Sequence, residues 1–208
     1  MVHHRDVLRF IRGSDRRAIN YARTYGNVFE LSVDDKKAAY KRFPTYEAGI
    51  GAFHAAVAAA YADGFALEHE GHPIEAPPPG DPFVPLPELE AAAEASNDLD
   101  TWLVLADAWT ERGDPRGPCI HLSRAFTNVT DPAVFAANKK AAAAAHRARA
   151  SYLLGPLGRD AYRVEVAYAH GLPSSATLLD KLEAPGRSND ELAALLRANP
   201  FCRFADVS

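Results

Sequence analysis

The fold class is decided by the stretch VFELSVDDKKAAYKRFPTYEAGIGAFHAAVAAAYADG (residues 28–64). Its first run, FELSV, is apolar at every second position, which is the period of a strand with one buried face. Its last part repeats apolar residues at helical spacing between Thr45, a good N-cap, and Gly64, a good helix end. The stretch therefore predicts strands followed by a helix that covers one face of a sheet.

Three β-prone runs precede this helix, and turn residues separate them. The runs are residues 19–25, 28–33 and 38–43, with Gly26-Asn27 and Asp34-Asp35 between them. Short turns favour antiparallel neighbours. Inside the helix, Gly49 and Gly51 each cost up to about 1 kcal/mol relative to Ala, so we expect the helix and sheet backbones to approach closely there.

A proline-rich segment, residues 73–87, follows the first module. Its proline density is incompatible with a helix or a central strand. Such a segment is either a semi-rigid extended spacer or a strap that lies on one module. We therefore predict two modules, residues 1–72 and 88–208, joined by residues 73–87.

The second module is predicted to be mainly helical. Its helices are expected at residues 86–95, 101–112, 117–126, about 132–154 and 190–197, with a strand-like alternation over 162–168. Trp102 and Trp109 define the buried stripe of the second helix. Asp100 or Thr101 is the expected cap of that helix, and Asn189 that of the last. The whole chain is therefore predicted to be α+β: a small antiparallel sheet on a helix, then a helical module with a short C-terminal β or repeat-like segment.

Part of the second module resembles a known family. The run ERGDPRG (residues 111–117), preceded by Ala106-Asp107, resembles the repeat-companion domain of bacterial proteins, which often precedes leucine-rich-type repeats. Residues 153–157, 170–172, 175–178 and 195–204 agree with this resemblance. It implies an adaptor or scaffold that contacts other proteins, because no chemistry is established for the family.

Four charged residues of this motif are candidates for protein contact: Asp107, Arg112, Asp114 and Arg116. The alternative is structural, with Asp107 paired to Arg112 or Arg116 across the turn. In that alternative the glycines form turns and Pro115 starts a helix.

The first module is similar to a WGR domain, a small sheet and helix that some proteins use for nucleic-acid contact. The similarity rests on residues 22–26, 41–43, 46–48 and 61–65. Tyr25-Gly26-Asn27 stands where the family has Trp-Gly-Arg. The resemblance implies the fold of this module and a nucleic-acid interface on its sheet.

Charge distribution agrees with a basic first module. The net charge is −4, yet residues 1–46 carry ten Lys or Arg against five acidic residues. Basic groups neutralise phosphates, and interleaved tyrosines stack on bases. The candidate nucleic-acid residues are Arg16, Arg17, Arg23, Tyr25, Lys36, Lys37, Lys41 and Arg42. The alternative is an ordinary solvated sheet edge.

No pattern in the chain predicts catalysis, a metal or a cofactor. His69-Glu70-Gly71-His72 lacks the spacing that puts two imidazoles on one helical face, so we expect a solvated loop. Phosphate loops and nucleophile elbows are also absent from the sequence.

Cysteine usage and hydropathy favour the cytoplasm. The two cysteines, Cys119 and Cys202, are far apart in sequence, unlike a disulfide framework. The sequence has neither a signal peptide nor an apolar run long enough for a membrane span. We therefore predict a non-enzymatic binding or scaffolding protein with an unknown protein partner. Nucleic-acid binding through the basic sheet is the alternative.

Overall fold

Strand pairing builds the first part of the chain into a six-stranded antiparallel sheet of order β4-β3-β2-β1-β5-β6. The computed structural model describes residues 2–24, 29–34, 40–96, 98–126, 129–179 and 186–208. The strands are β1 (Val2–Arg12), β2 (Asp15–Thr24), β3 (Phe29–Val33), β4 (Lys41–Phe43), β5 (Ala66–His69) and β6 (His72–Pro73). With the helices given below, this sheet confirms the predicted α+β class.

The longest strand, β1, is not predicted by the sequence pattern. Its apolar residues fall in adjacent pairs, Val7-Leu8 and Phe10-Ile11, and so do not alternate. In the structure β1 pairs with β2 along its length, down to Arg12 opposite Asp15. Long-range pairing, and not a period-2 pattern of its own, makes this segment a strand.

Helix α1 (Tyr46–Ala62) covers the sheet as predicted. The Thr45 hydroxyl accepts the N–H of Ala48 at 3.2 Å and caps the helix. A Cβ at Gly49 would overlap the side chain of Phe29, so the predicted close approach is confirmed there. The same prediction is wrong for Gly51, which faces open space.

The second part of the chain is mainly helical. Its helices are α2 (Pro87–Ala95), α3 (Leu99–Glu111), α4 (Arg116–His121), α5 (Pro132–Arg149) and α6 (Asn189–Arg197). A π-helical turn at Ala150–Leu154 continues α5, and 3-10 segments span Gly155–Arg163 and Pro200–Cys202. Trp102 and Trp109 of α3 are buried, as their spacing predicts.

Helix ends differ from prediction in three places. Asp98 caps α3, so the prediction of Asp100 or Thr101 is wrong. Ser188 caps α6 in place of Asn189. Helix α4 ends at His121, five residues before the predicted end. Both N-cap misses lie where successive residues are each able to cap a helix, and the tertiary path of the chain selects one. After His121 the chain continues in turns with hydrogen bonds between residues three apart.

A three-stranded sheet lies near the C-terminus. It consists of β7 (Val164–Ala169), β8 (Leu172–Leu178) and β9 (Asp206–Val207), with β9 parallel to β8. The strand-like alternation predicted over 162–168 corresponds to β7. Strand β8, which pairs with β7, and strand β9, which pairs with β8, are additional.

The chain divides into two compact units. The first comprises Met1–Ile74 and Asp180–Gly186, and the second comprises Glu75–Leu179 and Arg187–Ser208. The proline-rich residues 75–86 therefore group with the second unit. We call these residues the strap.

Candidate functional site

The described candidates for nucleic-acid contact fall into two separate groups on the first unit. Arg16 and Arg17 lie at the start of β2, next to the β1–β2 turn, whereas Lys41 and Arg42 lie on the edge strand β4. Arg42 is in register with Ala22 through β3. The two groups are therefore two strands apart across the sheet and five residues apart along β2. These two displacements together correspond to about 20 Å.

The other four candidates add no described side chain to either group. Arg23 belongs to β2, where it pairs with Phe29 of β3. Tyr25, Lys36 and Lys37 lie outside the described residues.

Three of the four candidate cations whose side chains the structure describes, Arg16, Arg17 and Arg42, have acidic partners. Arg42 Nε donates to Glu30 Oε1 at 2.7 Å, and Arg16 lies 3.7 Å from Glu68. Lys41 lies over the ring of Phe43, 5.2 Å from its centroid. Because a neutralised guanidinium attracts phosphate weakly, the described side chains of the sheet present charges of both signs more than a basic face.

Arg17 has a structural role at the end of α1. Its guanidinium lies 2.8 Å from Asp63, the C-cap residue, and 3.9 Å from Asp34. Arg12 donates to the backbone carbonyl of Asp63 at 2.7 Å, and both guanidinium groups lie 4.5 Å from the ring centroid of Phe65. Cations at the C-terminus of a helix interact favourably with the negative end of the helix dipole.

A surface depression of about 700 Å³ surrounds this cluster. Its charged lining residues are Arg9, Arg12, Arg16, Arg17, Asp15, Asp34 and Glu68. This mixture of signs does not select a strongly anionic ligand.

In the second unit, Asp107 does not pair with Arg112 or Arg116 as predicted. It lies 3.2 Å from His121 of α4, and Arg112 donates to the carbonyl of Ala108. The physical reason is that Asp107 faces α4 across the helix pair, while the turn directs Arg116 into the core.

Asp114 and Arg116 form a buried ion pair, with 1% and 3% of their surfaces exposed. Arg116 donates to both carboxylate oxygens, at 2.7 Å and 3.2 Å to Oδ2 and 3.0 Å to Oδ1. Its guanidinium lies 3.9 Å from the ring centroid of Trp109. Removing one member of such a pair typically costs about 3–5 kcal/mol, because the other charge stays buried. Burial favours the structural alternative for these two residues.

The same ion pair holds the strap. Asp114 Oδ2 accepts the backbone N–H of Val84 at 2.7 Å, and Trp109 Nε1 donates to the Val84 carbonyl at 2.9 Å. The neighbouring ring of Phe83 meets Tyr152 and Phe201. The proline content allows either a free extended spacer or a segment that lies on one module. At Phe83 and Val84 the segment lies on the second unit.

An exposed apolar surface lies where α4 is followed by α5. Phe126, Val134 and Phe135 are 45%, 46% and 48% exposed, and the rings of Phe126 and Phe135 are 5.6 Å apart. We call these three residues the apolar surface. Val104 of α3, 57% exposed, lies one turn after Asp100.

Sequence reasoning missed the apolar surface, although a signal was present. Phe135 continues the stripe of Ala142, Ala145 and Arg149, which are spaced by three or four residues and buried. A core-facing stripe predicts burial for every member. Phe135 lies in the first turns of α5, where residues 132–137 are all exposed, whereas the buried residues of this helix lie in its later turns.

The His69–His72 segment and Cys202 have structural explanations. His69 and His72 face each other across the β5–β6 hairpin, and the turn residues Glu70 and Gly71 have φ of 50° and 83°. The expected solvated loop is thus a tight hairpin. Burial raises the pKa of Cys202 to about 11, so its thiol is protonated near neutral pH.

Within the residues that the structure describes, no three His, Cys, Asp or Glu side chains are arranged to hold a metal ion. Every helix in the same ranges is too short or too polar to cross a lipid bilayer.

Comparison with known proteins returned no match: no family model, curated protein or solved structure is significantly similar to this chain.

Proposed function

We propose that this chain is a non-enzymatic, cytoplasmic binding or scaffolding protein that docks a protein partner through the apolar surface. The observation that carries the proposal is the exposure of Phe135. This side chain is 48% exposed, although it continues the stripe of buried residues on α5. Large apolar side chains that cluster on a surface commonly mark protein contacts. The resemblance to repeat-companion domains implies the same role.

The surroundings of the apolar surface suit a protein partner. The Asp100–Arg124 ion pair and the Asp107–His121 contact connect α3 to α4 and to the segment that leads to Phe126. They contribute both signs of charge beside the apolar residues. An apolar centre with a mixed polar rim is the usual composition of a protein interface.

Nucleic-acid binding through the sheet ranks second. Arg16, Arg17 and Arg42 each have a carboxylate within 4 Å. Their two groups are also separated along the sheet, which leaves fewer free cations to neutralise phosphates.

The test compares partner recovery by wild type, Phe135→Asp and Val33→Asp. Val33 is a matched control, because it is 44% exposed in the first unit. Proteins captured from the source cell are quantified by mass spectrometry, and the dissociation constant of the recovered partner is then measured. We expect Phe135→Asp to weaken binding at least about tenfold and Val33→Asp to leave it unchanged.

Two results contradict the proposal. One is a partner that binds Phe135→Asp as tightly as wild type. The other is retention of nucleic acid that falls steeply with salt and is lost in a Lys41→Glu, Arg42→Glu variant, which supports the sheet as the functional surface.

A further inference from the structure

The strap lies in a groove of the second unit and is bound there at three points. Residues 75–86 form neither helix nor strand and include five prolines. One end passes Gly155 so closely that a Cβ there would overlap the carbonyl oxygen of Glu75. Phe83 and Val84 provide the other two points.

The groove binds both backbone polar groups of Val84. Asp114 accepts its N–H at 2.7 Å, and Trp109 and Arg116 donate to its carbonyl at 2.9 Å and 3.2 Å. These contacts depend on an extended main chain at this position and do not involve the valine side chain. Recognition of a peptide backbone by a buried carboxylate, an indole and a guanidinium is therefore built into the fold.

Aromatic side chains beside this clamp hold the ring of Phe83. Tyr152 and Phe201 meet it edge-to-face at centroid distances of 5.6 Å and 5.8 Å, and the Arg116 guanidinium lies 5.4 Å from it. Edge-to-face pairs contribute about 0.5–1.5 kcal/mol beyond the area they bury. The groove thus selects an aromatic residue immediately before the clamped position.

Prolines on both sides prepare the bound segment for this groove. Pro82 and Pro85 flank Phe83-Val84 and restrict the chain to extended conformations before binding. Aromatic grooves that bind proline-rich segments use the same preorganisation.

We propose that this groove is a recognition site for a partner protein's extended Pro-Phe-Val-Pro-like segment, and that the strap occupies it in cis. This site is separate from the apolar surface, so neither proposal depends on the other. A covalently attached segment acts at an effective concentration on the order of millimolar, which weakens binding of a free peptide. Weakening the strap therefore strengthens binding of the same sequence in trans.

The experiment measures binding of a fluorescent peptide, PPGDPFVPLP (residues 78–87), to the full chain by anisotropy. The strap variants are Phe83→Ala, which removes the aromatic anchor, and Pro85→Gly, which retains the Phe83 and Val84 contacts and loosens the strap. We expect both to bind the peptide at least about tenfold more tightly than wild type. Adding Tyr152→Ala to either variant, or replacing Phe by Ala in the peptide, should weaken binding about tenfold or more.

Circular dichroism establishes which variants are folded. If Phe83→Ala unfolds, Pro85→Gly decides the question. The proposal is overturned if no folded strap variant binds the peptide more tightly than wild type. It is likewise overturned if weakening the strap produces a concentration-dependent dimer that the peptide dissociates, because a second copy's strap, and not another protein's segment, is then the occupant.

Discussion

Two glycines of α1 show how one missing side chain can have opposite consequences. At Gly49 the helix lies directly against Phe29 of β3, and there is no room for a methyl group. At Gly51, two residues along, the same missing side chain faces open space. The sequence predicts a close approach for both, since glycine inside a helix has a similar cost at either position. A Cβ at Gly49 would point at the sheet, whereas a Cβ at Gly51 would point away from it. This direction decides which glycine is needed for close packing.

We expect Gly49→Ala to destabilise the protein by about 1–3 kcal/mol, because Phe29 must move to accept the new methyl group. Gly51→Ala, the matched control, should stabilise it by up to about 1 kcal/mol through helix propensity. Urea unfolding followed by far-ultraviolet circular dichroism measures both. Equal effects of the two substitutions would show that the helix does not lie on Phe29.

Sequence patterns predict whether a segment is a helix or a strand more securely than they predict the residues at which it begins and ends. The amphipathic period identifies α1 and α3, because it extends over several turns. Single residues set the ends, and adjacent candidates such as Ser188 and Asn189 compete as caps. In the structure Ser188 forms a capping box with Glu191, whereas Asn189 accepts a hydrogen bond from Arg163. Those partners come from tertiary packing.

The capping box makes a prediction for the titration of Glu191. The backbone N–H and the hydroxyl of Ser188 donate to this carboxylate at 2.7 Å and 3.0 Å and lower its pKa. Ser188→Ala removes the hydroxyl, so we expect the pKa of Glu191 to rise toward its ordinary value. Asn189→Ala should leave that pKa unchanged. Side-chain carboxyl shifts followed by NMR between pH 2 and 7 measure both; an unchanged titration in Ser188→Ala rules out the box.

For the whole molecule, the division into two units determines which probes report on which part. Both tryptophans, Trp102 and Trp109, are buried in the second unit. Their fluorescence therefore follows the unfolding of that unit. The sheet of the first unit contributes to far-ultraviolet circular dichroism without contributing indole emission.

We expect a fragment of residues 75–208 to fold by itself, because it has its own buried core and retains the strap contacts. Its tryptophan emission and fluorescence-detected unfolding transition should match those of the full chain. A matched fragment that begins at residue 86 lacks Phe83 and Val84, and we expect it to be less stable. A red-shifted, unfolded spectrum for the longer fragment would mean that the second unit depends on the first.

The amino-acid sequence alone is enough to predict the α+β class, the buried face of α1, the tryptophan stripe of α3 and an extended conformation for the proline-rich segment. These features follow from local periodicity and backbone chemistry, which depend on residues close together in the sequence. The three-dimensional packing of the chain is needed to establish that β1 is a strand, that Asp114 and Arg116 bind the strap, and that Phe135 is exposed. Each of these features depends on which segments, distant in the sequence, lie next to the residue in the folded protein. Local sequence patterns do not contain that information.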